Sequence, residues 1–489
     1  MVNLGAVKNP VATSIPLEAD APSVTPEWRG GSFAVDARRF GGAVGIATLL
    51  SIGQFLLLPR VLDVATYGAF RVFVVYGIYA GVLHLGLPDG AYVRWAGRDQ
   101  RQVLQEWRAS ALWLAAIQLG FMLAALAVAT RLGDGRAAMT VAALGAFAAA
   151  TNMLTHATCA FQAIGEFRRA GALAVIPPAA LLLGVLALPQ AVRTLPAVLA
   201  VAVAAQVIPA AIATWWLRGA AAAAGSATGA GQERLTIGDL LRLGVPVLAA
   251  NVIAGLALSI DRLLLSVAIP VEAFAMYGFA ASAFVVANAV TQGLARVSVP
   301  HAARLPAAER GRFYGKLYGV IAAGFGAGLT LYPAVEGIVA GFLPAYTAAL
   351  PIMRALLPGA LFGVALHVVV FAVLLVRQAV RTQLAIAAAA AVLVLAATSA
   401  AILLDAPLWG VAAASSVALG LAWGTGAIVS ARHAPLERPV GILPFALCTA
   451  AQLAALGVAL RASDGVVPRT AIYLALAAAP TWLAWRRAS

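Results

Sequence analysis

Between Arg381 and Asp405 runs the segment TQLAIAAAAAVLVLAATSAAILL, residues 382–404, without one charged side chain. An apolar run of about 18 or more residues is long enough to cross the hydrocarbon core of a bilayer as a helix. Comparable runs recur outward from it in both directions. Upstream they fall at approximately 40–62, 69–93, 107–130, 137–160, 170–189 and 195–217. After a Gly-, Ala- and Ser-rich loop at roughly 218–238 they resume at approximately 239–268, 272–300, 313–342, 348–376, 382–404 and 407–431. A final pair lies near 441–461 and 468–486. The predicted fold class is therefore all-α: a polytopic membrane helix bundle of about fourteen transmembrane helices. Pro177-Pro178 inside the fifth run predicts a kink there, with neighbouring groups satisfying the freed carbonyls.

Composition agrees. The 489 residues are 62% hydrophobic and 11% charged, where a soluble domain carries roughly 25% charged residues; the mean hydropathy is +0.92. A net charge of +14 raises the question of nucleic acid, but the basic residues sit in short loops between apolar runs and form no patch with interleaved aromatics. The two cysteines, Cys159 and Cys448, fall inside apolar segments, which argues against a disulfide or a metal site. Residues 1–39 lack the apolar region of a signal peptide and read as a disordered cytoplasmic tail. The domain reading is an N-lobe at 40–217, a cytoplasmic linker at 218–238, a C-lobe at 239–431 and a C-terminal helix pair at 441–487.

Cytoplasmic loops carry an excess of Lys and Arg. With both termini cytoplasmic, the tail and every second loop hold 24 of the 33 basic residues, among them Arg94, Arg98, Arg101, Arg108, Arg310 and Lys316. The opposite loops and helix ends hold Arg60, Arg71, Arg131, Arg136, Arg193, Arg461 and Arg469. That asymmetry fixes the expected orientation.

The two large halves also resemble each other. Leu57-Leu58-Pro59-Arg60-Val61-Leu62 closes the first run and Ser259-Ile260-Asp261-Arg262-Leu263-Leu264 the seventh. Tyr67-Gly68-Ala69-Phe70 and Tyr277-Gly278-Phe279-Ala280 follow them, then Phe161-Gln162-Ala163-Ile164 and Arg377-Gln378-Ala379-Val380. Six helices per unit keeps both units in one orientation, a parallel repeat, and substrate sites in such transporters lie between the halves.

These residues resemble a known family. Pro59-Arg60-Val61-Leu62 with Tyr67-Gly68, His84-Leu85-Gly86-Leu87-Pro88-Asp89-Gly90, Gly244-Val245-Pro246 with Asp261-Arg262, and Phe342-Leu343-Pro344-Ala345-Tyr346 are similar to segments of polysaccharide flippases. Those belong to the O-antigen and capsule branch of the multidrug/oligosaccharidyl-lipid/polysaccharide (MOP) exporter superfamily. The resemblance implies two six-helix lobes around a central cavity and alternating access. The implied substrate is a polyprenyl-diphosphate-linked oligosaccharide, flipped from the cytoplasmic to the outer leaflet of a bacterial inner membrane. Membrane lipid, and surface-polysaccharide polymerase and chain-length proteins, would be its partners, without nucleic acid, cofactor or metal. In related lipid-linked-sugar flippases an extra helix pair forms a groove for the lipid tail.

A sugar diphosphate crossing hydrocarbon needs polar walls and cations. Arginine serves because its planar fork gives phosphate two hydrogen bonds and stays charged, and intramembrane ionisable residues are functional candidates by default. Asn251, Gly255, Ser259 and Arg262 repeat along the seventh run, and Asn288, Gln292 and Arg296 along the eighth. Thr48, Ser51 and Gln54 do so in the first, and Asn152, His156 and Cys159 in the fourth. Arg71 and Asp89, five helical turns apart, are expected on one side of the second helix. The candidate substrate-binding residues are Arg60, Arg71, Asp89, Asn251, Asp261, Arg262, Asn288, Gln292 and Arg296. Asp89 and Arg296 would stand near the inner mouth, and Arg60, Arg71, Asp261 and Arg262 near the outer one. Polar residues at helical spacing also serve simply to join helices, and arginines near helix ends snorkel to the headgroups.

Three other classes compete. Major-facilitator exporters carry aspartate in a Gly-x-x-x-Asp-Arg-x-Gly loop, where this chain has Arg94. A cation-coupled multidrug exporter of the same superfamily requires buried mid-helix acids, and few are present. A membrane enzyme acting on lipid-linked sugars requires a large outer loop with paired acids or catalytic histidines, and the loops here are short. A non-enzymatic transporter is the expectation.

Overall fold

The computed structural model describes residues 30–95, 98–223, 235–284, 305–377, 379–433 and 442–488, together with Leu294, Ser298 and Ala302. The first half comprises α1 (Gly30–Val61), α2 (Val64–Ile78), a 3-10 turn (Tyr79–His84), α3 (Leu87–Trp95), α4 (Gln100–Ala129), α5 (Gly135–Ala163), α6 (Phe167–Ala187) and α7 (Leu195–Ala223). The second comprises α8 (Ile237–Ala257), α9 (Ile260–Ala268), α10 (Val271–Ser282), α11 (Ala307–Phe342), α12 (Leu350–Ala365), a π turn (Leu366–Val370), α13 (Phe371–Val376), α14 (Val380–Leu403) and α15 (Leu408–His433). The pair α16 (Ile442–Ala462) and α17 (Val466–Ala488) closes the chain. Among the described residues, 13 helices are long and apolar enough to cross a membrane. The remaining expected span, 272–300, is described through α10 alone.

The helical bundle matches the expectation, and its boundaries differ in detail. Helix α1 begins at Gly30, so residues 30–39 extend the first helix ahead of its apolar span, Phe40–Val61. Helix α7 continues to Ala223 and α8 opens at Ile237, which narrows the expected linker from both sides. Helix α6 runs unbroken through Pro177-Pro178, and Gln54 Nε2 of α1 donates to the Pro178 carbonyl at 2.8 Å. The polar residues of the short loops start helices by accepting otherwise orphaned N–H groups. Asp63 accepts from Thr66 N, Asp99 from Arg101 N and Gln102 N, and Asp134 from Arg136 N. Thr236 and Asp239 form a reciprocal capping box at α8, the arrangement that satisfies two donors at once.

Packing repeats at an offset of six spans. Helix α1 leans on α6 as α8 leans on α14, α5 packs on α7 as α12 on α15, and α6 meets α7 as α14 meets α15. The two halves join through two crossings, α2 on α10 and α3 on α8. Both use the glycines of the repeat and of the family-like segments. A Cβ on Gly68 would stand 2.3 Å from the Val271 carbonyl oxygen, and one on Gly244 would stand 1.8 Å from the Gly86 carbonyl oxygen. Only glycine admits backbones at that separation.

Helices α16 and α17 pack on α11. Their attachment is polar at one end: Glu336 of α11, 2% exposed, accepts two bonds from Arg354 of α12 at 2.6 and 3.0 Å and one from Arg469 of α17 at 3.2 Å. Further along, Gln452 Nε2 donates to Ala322 O and Thr481 Oγ1, each at 3.1 Å, and Tyr473 donates to Gly326 O at 2.9 Å. Glu336→Gln leaves Arg354 without a counter-charge and Arg469 with only the exposed Asp464, 3.4 Å away. Breaking a wholly buried pair costs about 3–5 kcal/mol; with Arg354 42% exposed, a loss of about 2 kcal/mol is expected after discounting for solvent. Thermal unfolding in detergent should show it, with proteolysis of 442–488 accelerated before the rest of the chain. An unchanged melting curve would show that the clamp contributes nothing.

Candidate functional site

The two spans that meet at the seam are both broken. In the first half the helix gives way to the 3-10 turn Tyr79–His84 and two left-handed residues, Leu85 (φ 55°) and Gly86 (φ 80°). In the second half α8 ends at Ala257, and α9 resumes at Ile260 after Ser259, at φ −148° and ψ 2°. Breaks of this kind free backbone carbonyls, which must find other donors inside a bilayer. Gln118 Nε2 of α4 donates to Leu83 O at 2.8 Å, and Asn152 Nδ2 of α5 to Ala80 O at 3.0 Å. Ser259 Oγ donates to Gly255 O at 2.7 Å, and Arg262 Nη2 donates to Leu258 O.

The breaks touch across the seam. Tyr79 Oη lies 2.5 Å from Ser259 Oγ; because the serine proton is committed to Gly255 O, tyrosine is the donor. One turn before Tyr79 and two turns beyond Ser259, Ser266 Oγ lies 3.2 Å from Tyr76 Oη. Among the described residues no salt bridge crosses the seam: each stays within one lobe or within the C-terminal pair, or ties that pair to α11.

Charge gathers at the second break. Asp261, 5% exposed, accepts from Tyr277 Oη at 2.5 Å and from Ser415 Oγ at 3.4 Å, and its other oxygen from the Arg262 backbone N–H at 2.8 Å. The Arg262 guanidinium stands 3.6 Å from that carboxylate, beyond hydrogen-bond range. Arg71 of α2 faces Gly278 of α10 and lies close enough to Arg262 for the two positive charges to act on each other. Its Nε is buried and has no hydrogen-bond partner among the described residues. Two guanidinium groups from opposite lobes thus act on each other, and the carboxylate beside Arg262 is already well supplied with donors. A surplus cation in a dry setting is costly unless an anion pairs with it, so the arrangement is complementary to a negative ligand.

Of the candidates, Asp261 and Arg262 are neighbours, and Arg71 lies within electrostatic reach of Arg262. Arg60 is exposed on the last turn of α1, with its guanidinium 5.5 Å from the Phe342 ring centroid, a cation–π contact. Asn251 is exposed on α8, well before the break. Asn288, Gln292 and Arg296 lie outside the described residues. The expectation that Arg71 and Asp89 share a face is corrected: counting five turns assumed a continuous helix, and the break resets the register. Asp89 sits inside the N-lobe, with Oδ2 3.8 Å from His84 Nδ1. Several polar stripes resolve into packing. Thr48 and Ser51 bond their own helix at Val44 O and Ala47 O, and Asn152 holds the break in the second span. Arg94 and Arg98 both pair with Glu106, at 3.2 and 2.6 Å, which fixes α3 against α4.

Sequence reading missed Tyr79 and Ser415 as parts of the site. Tyr277 was visible only as a repeat residue, because its partner Asp261 lies across the turn between α9 and α10, where no periodicity connects them.

The fold defines an all-helical, two-lobed membrane protein with a polar seam. No family model matches the chain, and no curated protein matches its sequence. Among solved structures it is similar to the lipid II flippase MurJ in an inward closed conformation, with a TM-score of 0.61 at 12% identity, covering 91% of this chain and 98% of that one. It is also similar to MATE in complex with MaL6, with a TM-score of 0.50 at 13% identity, covering 82% and 96%. An outward-facing MATE family transporter of the MOP superfamily, a multidrug resistance protein, is similar at a TM-score of 0.48 and 14% identity over 83% and 96%. At these identities the likeness is one of fold, and the fold matched is that of transporters.

Proposed function

We propose that this protein is a flippase that carries a polyprenyl-diphosphate-linked oligosaccharide from the cytoplasmic to the outer leaflet of a bacterial inner membrane by rocking its two lobes. The observation that supports this reading is the pairing of Arg71 and Arg262 from opposite lobes, with Arg71 Nε buried and unpartnered. A diphosphate bridging the two would supply the missing acceptors as charge-assisted hydrogen bonds. Because each lobe contributes one arginine, the ligand's grip depends on how the lobes stand, and that dependence is what alternating access requires. The similarity of fold to a lipid II flippase, itself a lipid-linked substrate carrier by name, points the same way. The polyprenyl tail would stay in the bilayer, beside the C-terminal pair, while the head crosses.

A multidrug exporter of cationic compounds is less well supported, because Asp261 already accepts from Tyr277, Ser415 and the Arg262 backbone. No catalytic role is assigned to any residue.

The test is leaflet-resolved. In cells lacking this protein and any redundant flippase, lipid-linked sugar is expected to accumulate on the cytoplasmic side, unreachable by a membrane-impermeant probe. The wild-type chain should restore outer-leaflet delivery. Normal delivery without the protein would overturn the proposal and favour the drug exporter.

A further inference from the structure

The first helix break contains a titratable pair that the phosphate reading does not use. His84 is 7% exposed, and its Nδ1 accepts from Gly86 N–H at 3.0 Å. A ring nitrogen that accepts carries no proton. The same nitrogen lies 3.8 Å from Asp89 Oδ2, a buried oxygen without a hydrogen-bond partner among the described residues. One nitrogen therefore has two possible partners: an N–H donor when it is bare, and a carboxylate acceptor when it carries a proton.

What hangs on that choice is the elbow. Leu85 is a non-glycine residue in the left-handed region, at φ 55°, a conformation held against its own preference. The carbonyls just before it are pinned by Gln118 and Asn152, so the elbow's entry is fixed. Its exit is tied by the Gly86 N–H bond to His84, and directly beyond it Gly86 and Gly90 press on Leu240 and Gly244 of α8. The imidazole thus sits at the root of the α3–α8 crossing.

We infer that His84 and Asp89 form a proton-binding site that governs this crossing. A proton taken up at Nδ1 turns the nitrogen from acceptor to donor, shifts its hydrogen bond from Gly86 N–H to the Asp89 carboxylate, and frees the elbow that holds α3 on α8. The proton is the only ligand involved, and no covalent bond between heavy atoms changes. Among the described residues no group of three His, Cys, Asp or Glu side chains is placed to hold a metal ion, so a proton fits this pair where a metal does not.

Other groups around the elbow are otherwise engaged. On the 3-10 turn, Tyr79 is bonded to Ser259. Arg94 of α3 and Glu106 of α4 pair with each other. On α8, Asp239 is closed into its capping box and interacts with Arg94 and Arg242. On α5, Cys159 faces Asp89 and His156 faces His84. His156 Nε2 lies 2.9 Å from Ser110 Oγ, while its Nδ1 has no partner, which makes it the rival proton acceptor.

The inference needs no substrate and stands or falls on the full chain in lipid nanodiscs. Hydrogen exchange of peptides covering residues 82–91 is measured between about pH 8 and about pH 5, the range in which histidine titrates, with times scaled for the intrinsic rate. Wild type should exchange at least about threefold faster at the acid end, as a locally opened segment does. His84→Asn keeps an acceptor near the Nδ1 position and cannot take the proton, so its exchange should be flat. Asp89→Asn should move the transition to lower pH, and His156→Gln should leave it in place. Exchange in the α12–α15 region, constant across variants, serves as the folding control. A flat wild-type profile overturns the inference, as does a transition that survives His84→Asn or disappears with His156→Gln.

Discussion

Arg71→Ala is expected to slow delivery of lipid-linked oligosaccharide by about 10- to 100-fold while leaving the protein as stable as wild type, or more so. A hydrogen bond to a charged partner contributes about 1.5–3 kcal/mol, and each 1.4 kcal/mol is a factor of ten. That sets the size of the transport defect if Arg71 holds a phosphate. The stability half of the prediction comes from the empty side of the site. Arg71 Nε is buried and unpartnered among the described residues, and Arg262 adds like charge nearby. Removing a surplus cation relieves that repulsion, the usual signature of a group kept for its ligand. Arg71→Lys should recover part of the rate, since it restores charge without the planar fork. The measurement pairs leaflet-resolved delivery in cells with thermal unfolding of the purified variant. A fall in melting temperature with unchanged delivery would make Arg71 a packing residue and remove the diphosphate site.

Gly244→Ala should have an effect of comparable size by a different route. A methyl group there would stand 1.8 Å from the Gly86 carbonyl oxygen, where side-chain carbons keep at least 3.0 Å. The obstacle is backbone, so no rotamer change relieves it, and a close-packed contact transmits the displacement. Helices α3 and α8 must part, and the close crossing between the lobes becomes unreachable. Spin labels at the exposed positions Tyr92 and Ile237, in a background without Cys159 and Cys448, should report a longer and broader distance. Transport should fall at least about tenfold, because a carrier that cannot close one end populates its competent states poorly. A distance distribution identical to wild type would mean that the crossing does not bring α3 and α8 as close as described.

How much of this was legible in the sequence depends on the physical scale of each feature. The spans were visible because membrane insertion imposes a uniform demand on every residue of a run, as 382–404 illustrates. The parallel repeat was visible through Tyr67-Gly68 and Tyr277-Gly278, and its packing counterpart appears in the recurring helix pairs. What the motif does was not: Gly68 admits the Val271 backbone and Gly278 faces Arg71, so each half uses the motif against the other. Helix breaks were the main loss. Nothing in Leu85 announces a left-handed residue, and Leu258-Ser259 has no proline to mark it. Each break shifts the register that places everything after it. The count of turns that joined Asp89 to Arg71 therefore does not hold, while Asp261 and Arg262, adjacent in sequence, kept their association. The Glu336 cluster was out of reach because its members lie on three helices, and the 133 residues from Glu336 to Arg469 leave no local pattern to read.

The seam's make-up sets how it answers to its surroundings. Besides two neutral hydroxyl contacts and two glycine crossings, aromatic packing joins the lobes: Phe55 stacks on Phe279 with ring centroids 4.6 Å apart, and Tyr67 meets Tyr346 edge-on at 5.5 Å. Screening by dissolved ions acts on charges and leaves such contacts largely untouched. Apolar burial, by contrast, weakens on cooling. A joint built this way answers more to temperature than to dissolved salt.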